Sequence, residues 1–346
     1  MKLMINKSNY LIFMFYPILI TSIIMNLSSS SWLMTWMLIE LNLLSFIPIM
    51  LNQTKLKNNS IMMKYYVIQT FSSIIMLFSL SFSMIIFINQ LKTLMFWSMM
   101  MKLGLPPFHN WFINIMKKNS WLICAIISTI QKVIPILILS FFMFSNNLMI
   151  IILILLMFFL LINMSKFFNS SSMKLIMSYS SIINSFWIII TSLFNKFIMI
   201  LFMSIYFLST WFIMYIFKMM KIKLLNNLMN SQLSKWMYMI LMMSMIISAI
   251  PPSLMFTMKL MMIYLNLLNK YILLILIIIS SISVIIYFRL FFKIMLMKNF
   301  LNKINMFTKI IQNQYFKKKI MMNSMIFMMI SINMFLLFSS LTYLLN

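Results

Sequence analysis

The chain has 346 residues, 64% of them hydrophobic and 8% charged, with 27 Lys and Arg against one acid and a formal net charge of +26. A mean hydropathy of +1.05 excludes a soluble globular domain. One Cys, one His and one Gly exclude an internal disulfide, a thiolate or bis-His metal centre, and a Gly-rich phosphate loop.

The first span is read at 10–27, after a polar stretch with Lys2 and Lys7. No small-residue cleavage site follows it, so it reads as a span and not a signal peptide. Further spans are expected at 32–51, 61–82, 91–116, 121–141, 147–163, 173–194, 197–217, 235–265, 271–291 and 321–344. The fold class is therefore all-α: a polytopic membrane protein of about eleven transmembrane helices. Eleven crossings place the termini on opposite sides. Twenty-one Lys and Arg then fall on the N-terminal side and only Lys92, Lys196 and Lys270 on the other. That asymmetry supports the count and puts the N-terminus on the positive side. Because the cations lie between spans, lipid is the expected contact, and nucleic acid is not.

Three lysines remain inside spans: Lys102, Lys132 and Lys259. Two spans are interrupted, one by Gly104, Pro106 and Pro107, the other by Pro251 and Pro252. A Pro pair removes two backbone donors and breaks a helix. At membrane depth a broken backbone is tolerated where protein or a water-filled cavity surrounds it. Paired breaks in two halves point to an inverted-repeat transporter with its ion site at the breaks. The whole chain, 1–346, reads as one transmembrane domain. Its first repeat half is 10–141, its second 147–291, and a C-terminal helix follows at 321–344.

Glu40, the one carboxylate, sits near the middle of the second span. A charge at bilayer depth costs about 3 kcal/mol or more and usually marks an ion or proton path. Loss of water disfavours charge on Lys and Glu alike, and an opposite charge nearby restores it. A buried Lys beside Glu40 is thus poised so that its neighbour decides whether it holds a proton. The bland alternative for any one Lys is snorkelling to the interface, which is strained for Lys132, about twelve residues into its span, and easier for Lys259. His109, just after the first break, is either a relay member or an interfacial side chain.

Composition adds a source. Met occurs 46 times and Gly once, as expected of an organelle gene in which ATA also encodes Met. Most internal Met codons should then be ATA; a gene using only ATG would refute this.

In this order, WMLIELNLLSFIPIM (36–50), MKLGLPPFHNWF (101–112), TIQKVIPI (129–136) and SMKLIMSYSSIINSFW (172–187) resemble the motifs of the mitochondrial NADH-ubiquinone oxidoreductase chain 2 family, in an insect-like version. The resemblance implies an antiporter-like, proton-pumping membrane-arm subunit of respiratory complex I in the mitochondrial inner membrane. Its N-terminus would face the matrix and its C-terminus the intermembrane space. It implies proton-path roles for Glu40, Lys102, Lys132 and Lys259. It implies no cofactor in this chain, with FMN, iron–sulfur clusters and ubiquinone in other subunits, and other membrane-arm and accessory subunits as partners. The chain departs from the family at the second break. Ala249 stands for a Gly, a second Gly and a later Pro are gone, and Asn184 stands where a His is frequent. The rival readings are a stand-alone cation/proton antiporter of the same fold, testable by transport in vesicles, and a purely structural subunit, testable by silent substitutions at the four charges.

Overall fold

Helix is what this composition dictates, because in lipid every backbone N–H and C=O must be satisfied within the segment. The computed structural model describes residues 2–53, 59–82, 88–141, 146–222, 234–251, 253–264 and 270–305. They form α1 (Lys2–Ser28), α2 (Trp32–Gln53), α3 (Asn59–Phe82), α4 (Ile88–Leu103), α5 (Asn110–Lys118), α6 (Trp121–Ser128) and α7 (Ile130–Leu139). After these come α8 (Asn146–Phe168), α9 (Met173–Phe194), α10 (Lys196–Met219), α11 (Ser234–Ser248), α12 (Leu254–Tyr264) and α13 (Lys270–Asn305). No β-strand occurs among the described residues. Seven segments among them are long and apolar enough to cross a membrane. The chain is a multi-pass membrane protein.

Ten expected spans fall on described residues, and each meets a helix or a pair of helices; the eleventh, 321–344, lies outside them. The expected break at Gly104 separates α4 from α5. The other break separates α11 from α12; of its two prolines, Pro251 is described and Pro252 lies outside the described residues. Three spans differ most from expectation, the first because α1 begins at Lys2 and takes in as helix the polar stretch before 10–27. The segment 121–141, read as one helix, is divided at Thr129 into α6 and α7. There the Ala125 carbonyl accepts from the Thr129 hydroxyl at 2.7 Å, the Ser128 hydroxyl at 3.1 Å and the Thr129 N–H at 3.1 Å. Hydroxyls that bond back to the preceding turn bend a helix. Pro135 then denies the Gln131 carbonyl its usual donor one turn on. The last described span is also longer than 271–291, since the basic stretch after it continues as helix to Asn305.

The two Pro-Pro breaks close in one way. Gly104 (φ 65°) donates to Met101 O at 3.2 Å, and Leu105 donates to Met100 O at 3.1 Å. Ala249 (φ 59°) donates to Ile246 O at 3.0 Å, and Ile250 donates to Met245 O at 3.2 Å. Each is a left-handed C-terminal cap that satisfies two carbonyls otherwise orphaned. Ala carries a steric cost of about 1–2 kcal/mol in that conformation that Gly does not. The missing Gly therefore strains the second break without changing its backbone.

The chain forms two compact units. One comprises Met1–Asn163 with Met177–Met199, and in it α1 packs on α2, α2 on α3, α3 on α4, and α4 on α7. The other comprises Met164–Ile176 and the described residues from Ile200 onward, with α11 against α12 and α13. In the second unit Arg289, the one Arg of the chain, forks onto two carbonyls at the end of α8: Phe168 O at 2.9 Å and Ser170 O at 2.5 Å.

Candidate functional site

The packing of α4 on α7 places two of the three intramembrane lysines in one neighbourhood. Lys102 occupies the last turn of α4, where exposed carbonyls carry partial negative charge and favour a cation. It is 6% exposed, and its ammonium nitrogen has no hydrogen-bond partner. It lines a small cavity with about 20 Å³ open to water centres. Asn42 of α2, Tyr65 and Gln69 of α3, and Gln131 of α7 supply the other polar walls. Tyr65 and Gln69 are one turn apart, so one face of α3 presents both. Gln69 Nε2 donates to the Lys102 carbonyl at 3.3 Å and ties α3 to the end of α4.

Three buried polar atoms on this cavity's walls lack partners: Lys102 Nζ, Gln131 Nε2 and Asn42 Oδ1. Two are donors and one is an acceptor. An unpaired buried polar group costs about 1–3 kcal/mol, and about 10–15 Å³ of such space is what a water needs. The cavity thus has the size and the donor–acceptor balance to accommodate one water.

Glu40 does not line the cavity. Two residues before Asn42 on α2, it projects about 200° away around the helix. It is half-buried, lies within electrostatic reach of Lys102, and makes no direct hydrogen bond to it.

Lys132 faces elsewhere. It is 2% exposed, and Nζ donates to Ser181 O at 3.3 Å and Ser185 Oγ at 3.4 Å on α9. Nζ also lies over the Phe112 ring, 4.7 Å from its centroid. A carbonyl, a hydroxyl and an aromatic face are all electron-rich, so the ammonium is held without a carboxylate.

His109 is the N-cap residue of α5, 8% exposed, with Nδ1 3.3 Å from the Pro107 carbonyl. Lys259 lies in the second unit on α12 and is 5% exposed. Ser253 caps that helix, its hydroxyl oxygen 3.4 Å from the Phe256 N–H.

Sequence reasoning passed over the three amides at the cavity and the serines around Lys132. The signal was present: Asn42 and Gln131 stand beside or near the charged residues singled out, and Gln69 lies four residues after Tyr65, on the same face of its helix.

No family model matches the chain. An NADH-ubiquinone oxidoreductase chain 2 of Locusta migratoria is 29% identical over 276 residues, covering 74% of this chain and 76% of that protein. A chain of respiratory complex I from Thermus thermophilus superposes with a TM-score of 0.75 at 13% identity, over 82% of this chain and 70% of its own. A chain of the Mrp complex from Dietzia superposes with a TM-score of 0.69 at 13% identity, over 79% and 58%. The two structural likenesses share the fold.

Proposed function

We propose that the chain is a member of the NADH-ubiquinone oxidoreductase chain 2 family and a core membrane subunit of the proton-pumping NADH:ubiquinone oxidoreductase of the mitochondrial inner membrane. The observation that carries the reading is the burial of two lysines on packed helices beside a broken span, one of them on a polar cavity. Ionisable groups at membrane depth are costly, and such sites mark proton relays.

Glu40 and Lys102 form the gate. The carboxylate favours a protonated Lys102, and moving or neutralising it lets the proton go. The amides of Asn42 and Gln131 orient a water that receives it. Lys132 is the next carrier, and Lys259 in the second unit is the last. His109, at the start of α5, is an accessory group at the break. The electrons travel through other subunits, which carry FMN, iron–sulfur clusters and the ubiquinone site. Membrane-arm and accessory subunits are this chain's protein partners. The lysine asymmetry supports an N-terminus in the matrix and a C-terminus in the intermembrane space. The paired left-handed caps support two inverted repeat halves, 10–141 and 147–291, within a single transmembrane domain.

Native electrophoresis of mildly solubilised inner membranes tests this, with in-gel NADH dehydrogenase staining and peptide identification. The chain is expected in the large NADH-oxidising band. Migration alone, or in a band without that activity, would overturn the proposal in favour of a stand-alone cation/proton antiporter.

A further inference from the structure

Phe112 touches both the broken span and the second buried lysine. It is the third residue of α5 and is fully buried. On one side it rests against the break. A Cβ built on Gly104 would stand 2.6 Å from Phe112 Cβ and 3.1 Å from its Cγ, so no atom fits between backbone and side chain there. The neighbouring Trp111 donates from Nε1 to Met101 O at 3.1 Å and pins the start of α5 to the last turn of α4. On the other side the Phe112 ring lies under Lys132 Nζ at 4.7 Å. The break, the ring and the ammonium are thus in unbroken van der Waals sequence, and Lys102 sits two residues before Gly104 on the same backbone.

We propose, resting on the reading of Lys132 as a proton carrier, that Phe112 is a positioning residue that makes proton release from Lys132 depend on the conformation of the break at Gly104. An aromatic face attracts an ammonium through its quadrupole and has no such attraction for a neutral amine. The ring therefore favours the protonated state only while it lies under Nζ. Because Gly104 leaves it no slack, a shift in the Gly104–Phe108 turn is transmitted to the ring. When the ring moves aside, an N–H bond of Lys132 breaks and its electron pair stays on nitrogen. The proton passes to a water, forming an O–H bond. The other two partners of the ammonium, Ser181 O and Ser185 Oγ, belong to α9 and remain behind to take the neutral amine.

The test uses the assembled complex in inner-membrane vesicles, with Phe112→Leu, Phe112→Met, Phe112→Tyr and Lys132→Met compared. Protons translocated per NADH oxidised are measured beside complex abundance on native gels. Phe112→Leu and Phe112→Met remove the aromatic face at similar volume. Both are expected to assemble and to lose proton translocation toward the level of Lys132→Met, while Phe112→Tyr, which keeps the face, restores it. The inference is overturned if the Leu and Met variants pump as wild type while Lys132→Met does not, or if Phe112→Tyr is as impaired as Phe112→Leu. Failure of both Leu and Met variants to assemble would assign the ring a purely structural role and overturn it as well. Normal pumping by Lys132→Met would remove the underlying reading of Lys132 itself.

Discussion

Lys102 and Lys132 stand on helices that pack together, both buried, and the protein meets the cost of their charge in opposite ways. Around Lys132 the compensation is built in: a carbonyl, a hydroxyl and a ring, all on packed helices. Around Lys102 it is external. The helix terminus helps, but the ammonium has no hydrogen-bond partner, and the charge that acts on it comes from half-buried Glu40 on another helix. A group held by dipoles on its neighbouring helices gives up its proton only when one of those dipoles shifts. One held by a distant carboxylate and an adaptable cavity is a point of control. The comparison teaches that burial alone does not define a relay site; what supplies the countercharge, and whether it moves, does.

The comparison breaks or sharpens at four places. The largest effect is expected from Lys132→Met, which should abolish proton translocation through this subunit while the complex still assembles, since the groups left behind keep their other partners. Vesicle acidification per NADH oxidised measures it. Next comes Glu40→Gln, which should slow translocation by about tenfold, the worth of one opposite charge in a partly buried setting. Its effect should vanish in a Lys102→Met background, because the two act as one unit. If the double variant is additive, Glu40 acts on some other group and the contrast drawn above fails. Ser185→Ala removes a long hydrogen bond to a charged donor and should slow translocation about fivefold, near 1 kcal/mol. The same substitution should leave the sensitivity to Glu40→Gln unchanged. The smallest effect is expected from Gln131→Leu. It removes one of the two amides that orient the cavity water and leaves the helices packed, so complex abundance on native gels should stay level. Translocation should fall a few-fold as a cavity water loses one of its holders.

The charged residues were legible in the sequence because a Lys or Glu inside an apolar run is costly and therefore conspicuous. The amides of Asn42, Gln69 and Gln131 were not: a neutral polar residue in a span is cheaper, and nothing in one sequence tells which helix faces it. That they converge is a property of packing. The interruption at Thr129 escaped notice for a related reason. No Gly or Pro marks it, and the competition among three donors for the Ala125 carbonyl emerges only once the turn exists. Ala249 shows the reverse case. Its sequence departs from the family at the second break, yet the surrounding hydrogen bonds hold an Ala in the conformation a Gly would take freely. Which group Lys132 faces was likewise invisible, because α9 follows α7 by more than thirty residues of chain.

The Gly at position 104 has a consequence for how this gene changes over generations. One Gly against 46 Met is what a genome whose mutations run away from glycine codons would leave. Such a drift tests each glycine in turn by offering it a side chain. Position 249 holds an Ala in the left-handed conformation, at the cost of some strain. At position 104 a methyl group would collide with the base of Phe112, so only glycine fits. A lineage under the same pressure should lose this residue last, and only together with a compensating change at position 112.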